Sequence, residues 1–255
     1  MHYRTQKQVI IALVTFIFFS AAVFTLMFAF NRKEEPPIAV NPPPIQVAKP
    51  VFKDIKVIST DIFAIEAREK IYDTVSQIKN PNIEYGSPHV VYEFIFRDKT
   101  GLEIKKISGS TFILANQTRY IVKQAIRLSV EPESVELKIL SQTWKRLAPF
   151  DSSGLKVQDA SIKRDSNLGT TYLTGLVHNR SPYNLREIEV NVILSDPSKN
   201  KKIIAVGATN LQLLNSGTTR AFQILWPTTL PYVNIDAKVE SNFFENDNFI
   251  RDYGR

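Results

Sequence analysis

A hydrolytic site needs a nucleophile, a base to take its proton and an acid to orient that base. The usable bases in this chain of 255 residues are three histidines, His2, His89 and His178. His2 precedes a long apolar run, and the other two fall at the ends of different strand patterns. Neither sits near a G-x-S-x-G elbow, an H-E-x-x-H helix or a paired-histidine metal spacing. The chain has no cysteine, which removes thiolate catalysis, disulfides and cysteine-type zinc sites together. Nine glycines leave no phosphate-cradling loop, and Glu245, Asp247 and Asp252 lack the glycine turn of an EF-hand loop. The expectation is a protein without catalysis, cofactor or bound metal.

What remains for function is surface contact. The loop before each of two central strand patterns offers an aromatic beside a proline, Tyr85 with Pro88 and Tyr183 with Pro182. Loops gathered at one end of a β-sandwich are where such folds bind, so these four residues are the candidate partner-binding positions. Lys199, Lys201 and Lys202 cluster at a hairpin tip and read as solvated turn charges. The net charge of +7 is diffuse, with 27 Lys and Arg against 23 Asp and Glu in residues 51–255, which argues against a nucleic-acid partner.

Residues 9–30, VIIALVTFIFFSAAVFTLMFAF, form an uncharged run that as a helix spans roughly 33 Å, a bilayer's hydrocarbon thickness. A cleaved signal peptide has an apolar core of only about 7–15 residues, followed by small residues. The flank here is NRKEEPP, which favours an uncleaved single-pass transmembrane helix. Arg4 and Lys7 before it nearly balance Arg32 and Lys33 after it; the short basic N-terminus favours residues 1–8 in the cytoplasm and the bulk outside. Residues 31–50 follow as a stalk, with proline at six of the 17 positions from Glu34 to Pro50, a semi-rigid spacer reaching on the order of 50 Å.

Beyond the stalk one pattern is written twice. A shift of 98 residues lays Val90, Tyr92, Phe94 and Phe96 on Ile188, Val190, Val192 and Leu194, alternating apolar positions of half-buried strands. Turn formers follow both, at Asp98–Gly101 and Asp196–Asn200. The same shift sets Gly109 on Gly207; a shift of 99 sets Ile78 and Asn80 on Val177 and Asn179; a shift of 100 sets Val122 and Ile126 on Phe222 and Trp226. Short alternating strands over about 100 residues per copy describe an immunoglobulin-like antiparallel β-sandwich. The fold expected is all-β: two tandem immunoglobulin-like antiparallel β-sandwiches, residues 51–147 and 155–247, behind one transmembrane α-helix. The join Lys145–Gly154 is short enough to restrict flexing, and residues 248–255 read as a polar tail.

The second copy carries V-x-N-x-S at Val177, Asn179 and Ser181, V-I-L-S-D at Val192–Asp196 and a segment Gly217–Phe222; the first carries F-I-F-R-D at Phe94–Asp98 with Gly101 after it. On these residues each copy resembles the FxLYD domain, an extracytoplasmic β-sandwich of bacteria and archaea related to the water-stress domains of late-embryogenesis proteins. The resemblance implies a non-catalytic module of the cell envelope. The function expected is a membrane-anchored extracytoplasmic binding or scaffold protein, with one span in the cell membrane and other envelope proteins as partners. The alternative is a structural subunit of a secretion, pilus or envelope assembly, and the sequence leaves the oligomeric state open.

Overall fold

The computed structural model describes residues 2–30, 50–65, 68–146, 154–199 and 202–250. Most of the stalk, the middle of the join (147–153), Lys201 of the lysine cluster and residues 251–255 lie outside the described residues. The chain divides into two units, residues 1–50 and 51–255, each treated by itself.

The first unit is a single α-helix, α1, His2–Phe30. Its segment Leu13–Phe30 has a mean hydropathy of 2.4 and is long and apolar enough to cross a membrane. From Leu13 onward its side chains are exposed all round.

The second unit is built of strands, two sandwiches with the same topology. In the first, β1 (Lys56–Ala64), β2 (Ile71–Lys79) and β5 (Thr118–Arg127) form one antiparallel sheet in the order β1-β2-β5. β3 (Tyr85–Arg97), β4 (Glu103–Ile113) and β6 (Ser134–Gln142) form the facing sheet in the order β4-β3-β6, with the two-residue β7 (Lys145–Arg146) against the start of β3. In the second, β8 (Leu155–Asp165), β9 (Thr170–Asn179) and β12 (Thr219–Trp226) repeat the first sheet as β12-β9-β8. β10 (Asn184–Asp196), β11 (Lys202–Leu214) and β13 (Asn234–Glu240) repeat the second as β11-β10-β13, with β14 (Phe249–Ile250) against the start of β10.

The central strands carry the core of each copy, as their alternation requires. Val90, Phe94 and Phe96 of β3 and Ile188, Val190, Val192 and Leu194 of β10 are fully buried, with Tyr92 nearly so. The 98-residue shift therefore holds for β3 and β10. It does not hold for the strands beside them, because Phe94 pairs with Ile107 while Val192 pairs with Gly207, a shift of 100. Gly109 thus matches Thr209 and not Gly207. On β5 the counterpart of Phe222 is Ile121, not Val122, since Ile78 lies opposite Arg119 and Val177 opposite Arg220. The two registers converge again at Ile126 and Trp226, because β5 holds one extra residue in a bulge between Lys123 and Ile126.

That bulge has a visible cause. Ala125 takes a left-handed backbone (φ 53°), and its N–H donates to Asp73 Oδ1 at 2.8 Å.

The end of the chain corrects one expectation. Phe249 and Ile250, expected in a polar tail, pair with Leu185 and Asn184 as the counterpart of β7. The ring of Phe249 lies edge-on to Tyr183, with centroids 5.2 Å apart, and 6.0 Å from Phe243. Two apolar residues in an otherwise polar stretch are what make the strand.

Candidate functional site

Two local devices fix the ends of each sandwich, at positions that the internal repeat pairs between the copies. Asn80, fully buried, donates from Nδ2 to the carbonyls of Tyr85 and Leu114, both at 2.8 Å, while its Oδ1 accepts from the Asn82 backbone N–H at 2.9 Å. Asn179, equally buried, donates to the carbonyls of Tyr183 (2.8 Å) and Leu214 (3.1 Å) and accepts from the Ser181 N–H and hydroxyl at 3.0 and 2.6 Å. One side chain thus ties three loop segments and satisfies backbone groups that would otherwise be buried unpaired. At the opposite end Asp98 Oδ1 accepts from Thr100 N–H and Oγ1, and Asp196 Oδ1 from Ser198 N–H and Oγ, all between 2.6 and 2.8 Å. The hydroxyl bond to Thr100 or Ser198 holds each carboxyl below its ordinary range.

The predicted contact tyrosines share in this framework. The Tyr85 ring lies edge-on to Phe52 at 5.0 Å, and Phe52 stacks on Trp144 at 5.4 Å. Tyr183 packs on Phe249 and is still 38% exposed. Each tyrosine therefore sits in an aromatic cluster of its own module, at the end held by Asn80 in the first and Asn179 in the second. Pro182 is exposed, and Pro88 alone of the four lines the cleft described below. His178 bonds Thr219 through Nδ1 at 2.9 Å, and His89 is exposed at the cleft. The structure does not bring the two histidines to one site.

The chemistry that the sequence did not reveal lies between the modules. Val75, Ile193 and Val206 are buried against one another with Phe63, Tyr120 and Val122 packed around them, an apolar seam joining β2 and β5 to β10 and β11. Each such aliphatic burial contributes roughly 1.5–3 kcal/mol. Nearer the Asn80 end, Phe112 and Leu114 of the first copy are continuous with the core of the second through Phe243 and Phe244.

Polar groups complete the seam. Arg119, 2% exposed, engages all three guanidinium nitrogens: Nε donates to Thr111 Oγ1 at 3.0 Å, Nη1 to Glu240 Oε2 and Nη2 to Glu189 Oε2 at 2.5 Å, with Cζ 4.0 Å from the Phe112 ring centroid. Gln117 Nε2 donates to the other oxygen of Glu240 at 2.6 Å. Gln124 caps the free edge of β11, donating to the Val206 carbonyl and accepting from the Ala208 N–H, both at 3.1 Å. Tyr120 donates to Asp236 at 3.2 Å, and burial together with that carboxylate pushes its hydroxyl up to about 12. Burial pushes the Glu240 carboxyl from about 4.5 up to about 7; Arg119 opposes the rise and Glu189 adds to it.

Beside this network the modules leave an open cleft of about 660 Å³. Pro88, His89 and Lys123 of the first copy face Arg186, Glu187 and Asn210 of the second, with Glu245 and Asp247 at the rim. The hydroxyl of Ser241 in this wall is committed, donating to the Glu187 carbonyl at 2.8 Å and accepting from Asn248 at 2.7 Å. Among the described residues no three acidic or histidine side chains converge on one point. The cleft offers mixed charge, amide groups and a half-open shape, which suits recognition of a polar surface.

Fold and seam together define a pair of like antiparallel β-sandwiches fused into one body. No protein-family model matches the chain, and no curated protein matches it. Among solved structures it is similar to red sea bream transglutaminase at 10% identity and a TM-score of 0.24, covering 73% of this chain and 29% of the transglutaminase. A TM-score so low extends neither that enzyme's fold nor its activity to this chain, which spans under a third of its length.

Proposed function

We propose that this chain is a membrane-anchored binding or scaffold protein of the cell envelope. In this reading α1 is an uncleaved single-pass anchor with its N-terminus in the cytoplasm. The proline-rich stalk holds two FxLYD-like sandwiches outside, and these recognise other envelope proteins without breaking a bond. The observation that carries the reading is the seam: a buried arginine tied to two acids fixes the modules so that one cleft is lined by both. A binding surface shared by two rigidly held domains is preorganised, which lowers the ordering cost of association.

Photo-crosslinking in the native membrane tests the reading. A crosslinking residue placed at exposed Asn210 or Glu187 in the cleft is expected to capture a discrete protein partner, while one at exposed Leu168 does not. Equal labelling patterns from both faces would contradict recognition through the cleft.

A further inference from the structure

Beside the seam lies a second, half-open cavity of about 380 Å³, toward the start of β2, about 20 Å along that strand from the Asn80 end. Both modules build it. Phe63 and Ile65 of the first copy face Ile204, Leu225, Trp226 and Leu230 of the second. Gln124, Asp196, Thr228 and Thr229 add polar groups to this apolar part, and the volume falls within the range of small-molecule sites.

Of the charged groups in this lining, Asp73 is the most deeply buried. Asp73 lines the cavity while being only 3% exposed. Its Oδ1 takes the Ala125 N–H of the β5 bulge, and among the described residues its Oδ2 has no hydrogen-bond partner and no cation within ion-pair distance. Burial pushes this carboxyl above its ordinary range, and the Ala125 N–H opposes the rise. Two cations also line the cavity. Lys199 pairs with Asp196 at 3.7 Å, and Arg68 is exposed.

We propose that this cavity is a binding site for a small organic cation, an ammonium group carried on an apolar body. Its nitrogen donates to Asp73 Oδ2, and its hydrocarbon part lies against Trp226, Leu225 and Phe63. The neutral alcohol of the same shape leaves the carboxylate uncompensated, and the matching carboxylic acid meets like charge. The site is independent of the cleft and of the side of the membrane on which the domains lie.

Trp226 sits in the wall and reports occupancy once Trp144, the other tryptophan, is replaced. The full chain carrying Trp144→Phe, held in lipid nanodiscs, is titrated with 2-phenylethylammonium, 2-phenylethanol and 3-phenylpropionate while Trp226 emission is followed. Saturable binding of the ammonium is expected, at least tenfold tighter than the alcohol and tenfold weaker in Asp73→Asn, which keeps the acceptor for Ala125. Should Asp73→Asn fail to fold, the comparison of the three ligands on the intact site still decides. Arg68→Gln removes the rival cation and is expected to bind the ammonium at least as tightly. Equal affinity for ammonium and alcohol, no effect of Asp73→Asn, loss of binding in Arg68→Gln, or no saturation by any ligand would each overturn the assignment.

Discussion

Arg119 and Arg220 occupy the same position in the two copies, opposite Ile78 and Val177, yet one is buried and the other exposed. Both reach from the edge of one sheet to the edge of the other, Arg119 to Thr111 and Arg220 to the carbonyls of Gln212 and Leu213. Only Arg119 is met by acids of a neighbouring module. Replacing Arg119 by Met strands Glu240 in the seam and should lower unfolding stability by about 3–5 kcal/mol. Arg220→Met should stay within about 0.5 kcal/mol. Denaturant unfolding of the full chain in nanodiscs measures both.

The buried asparagines should be equivalent. Asn80→Ala orphans the Tyr85 and Leu114 carbonyls, and Asn179→Ala orphans those of Tyr183 and Leu214. Each should cost about 2–4 kcal/mol, and aspartate should rescue neither, because an acceptor then faces two acceptors. Melting temperatures of the four variants provide the check.

Glu240 makes stability depend on pH with a definite sign. Its folded pKa is raised, so the folded state holds the proton more tightly than the unfolded chain does. The stability it contributes is fully present below about 4.5 and is lost as pH rises through about 7. Asp98 and Asp196 act oppositely: their lowered values give stability above the ordinary aspartate range, lost as pH falls through it. Unfolding free energy should therefore rise as pH drops from 7 toward 4.5 and fall again below. Glu240→Gln should flatten the upper limb and leave the lower one.

Gly86 ties a first-copy strand to the second copy. A Cβ there would lie 2.6 Å from the Phe244 ring and 2.7 Å from the Ile113 carbonyl oxygen. Gly86→Ala should cost about 1–3 kcal/mol, read in the same unfolding assay.

The sequence disclosed what period and repetition encode. The alternation through Val90–Phe96 and Ile188–Leu194 located both central strands, and the 99-residue shift found Asn80 and Asn179 because both copies use the same side chain for the same bonds. It misassigned the neighbouring strands, because loop insertions and the β5 bulge shift the register without leaving a mark on the alternation. The seam was illegible for another reason. Val75 and Arg119 are buried, and Val122 half-buried, through partners 70 or more residues away, and nothing in their own strands distinguishes them from solvent-facing residues. Their counterparts Thr174, Gln223 and Arg220 show how such positions look when no module covers them.

Protease treatment of intact cells expressing the full chain bears most directly on the account. With the stalk as the cutting site, the two-sandwich fragment should be released whole from intact cells, or on opening an outer membrane, because the seam holds it together. Protection of the fragment until the inner membrane is broken would contradict the account and place the domains in the cytoplasm.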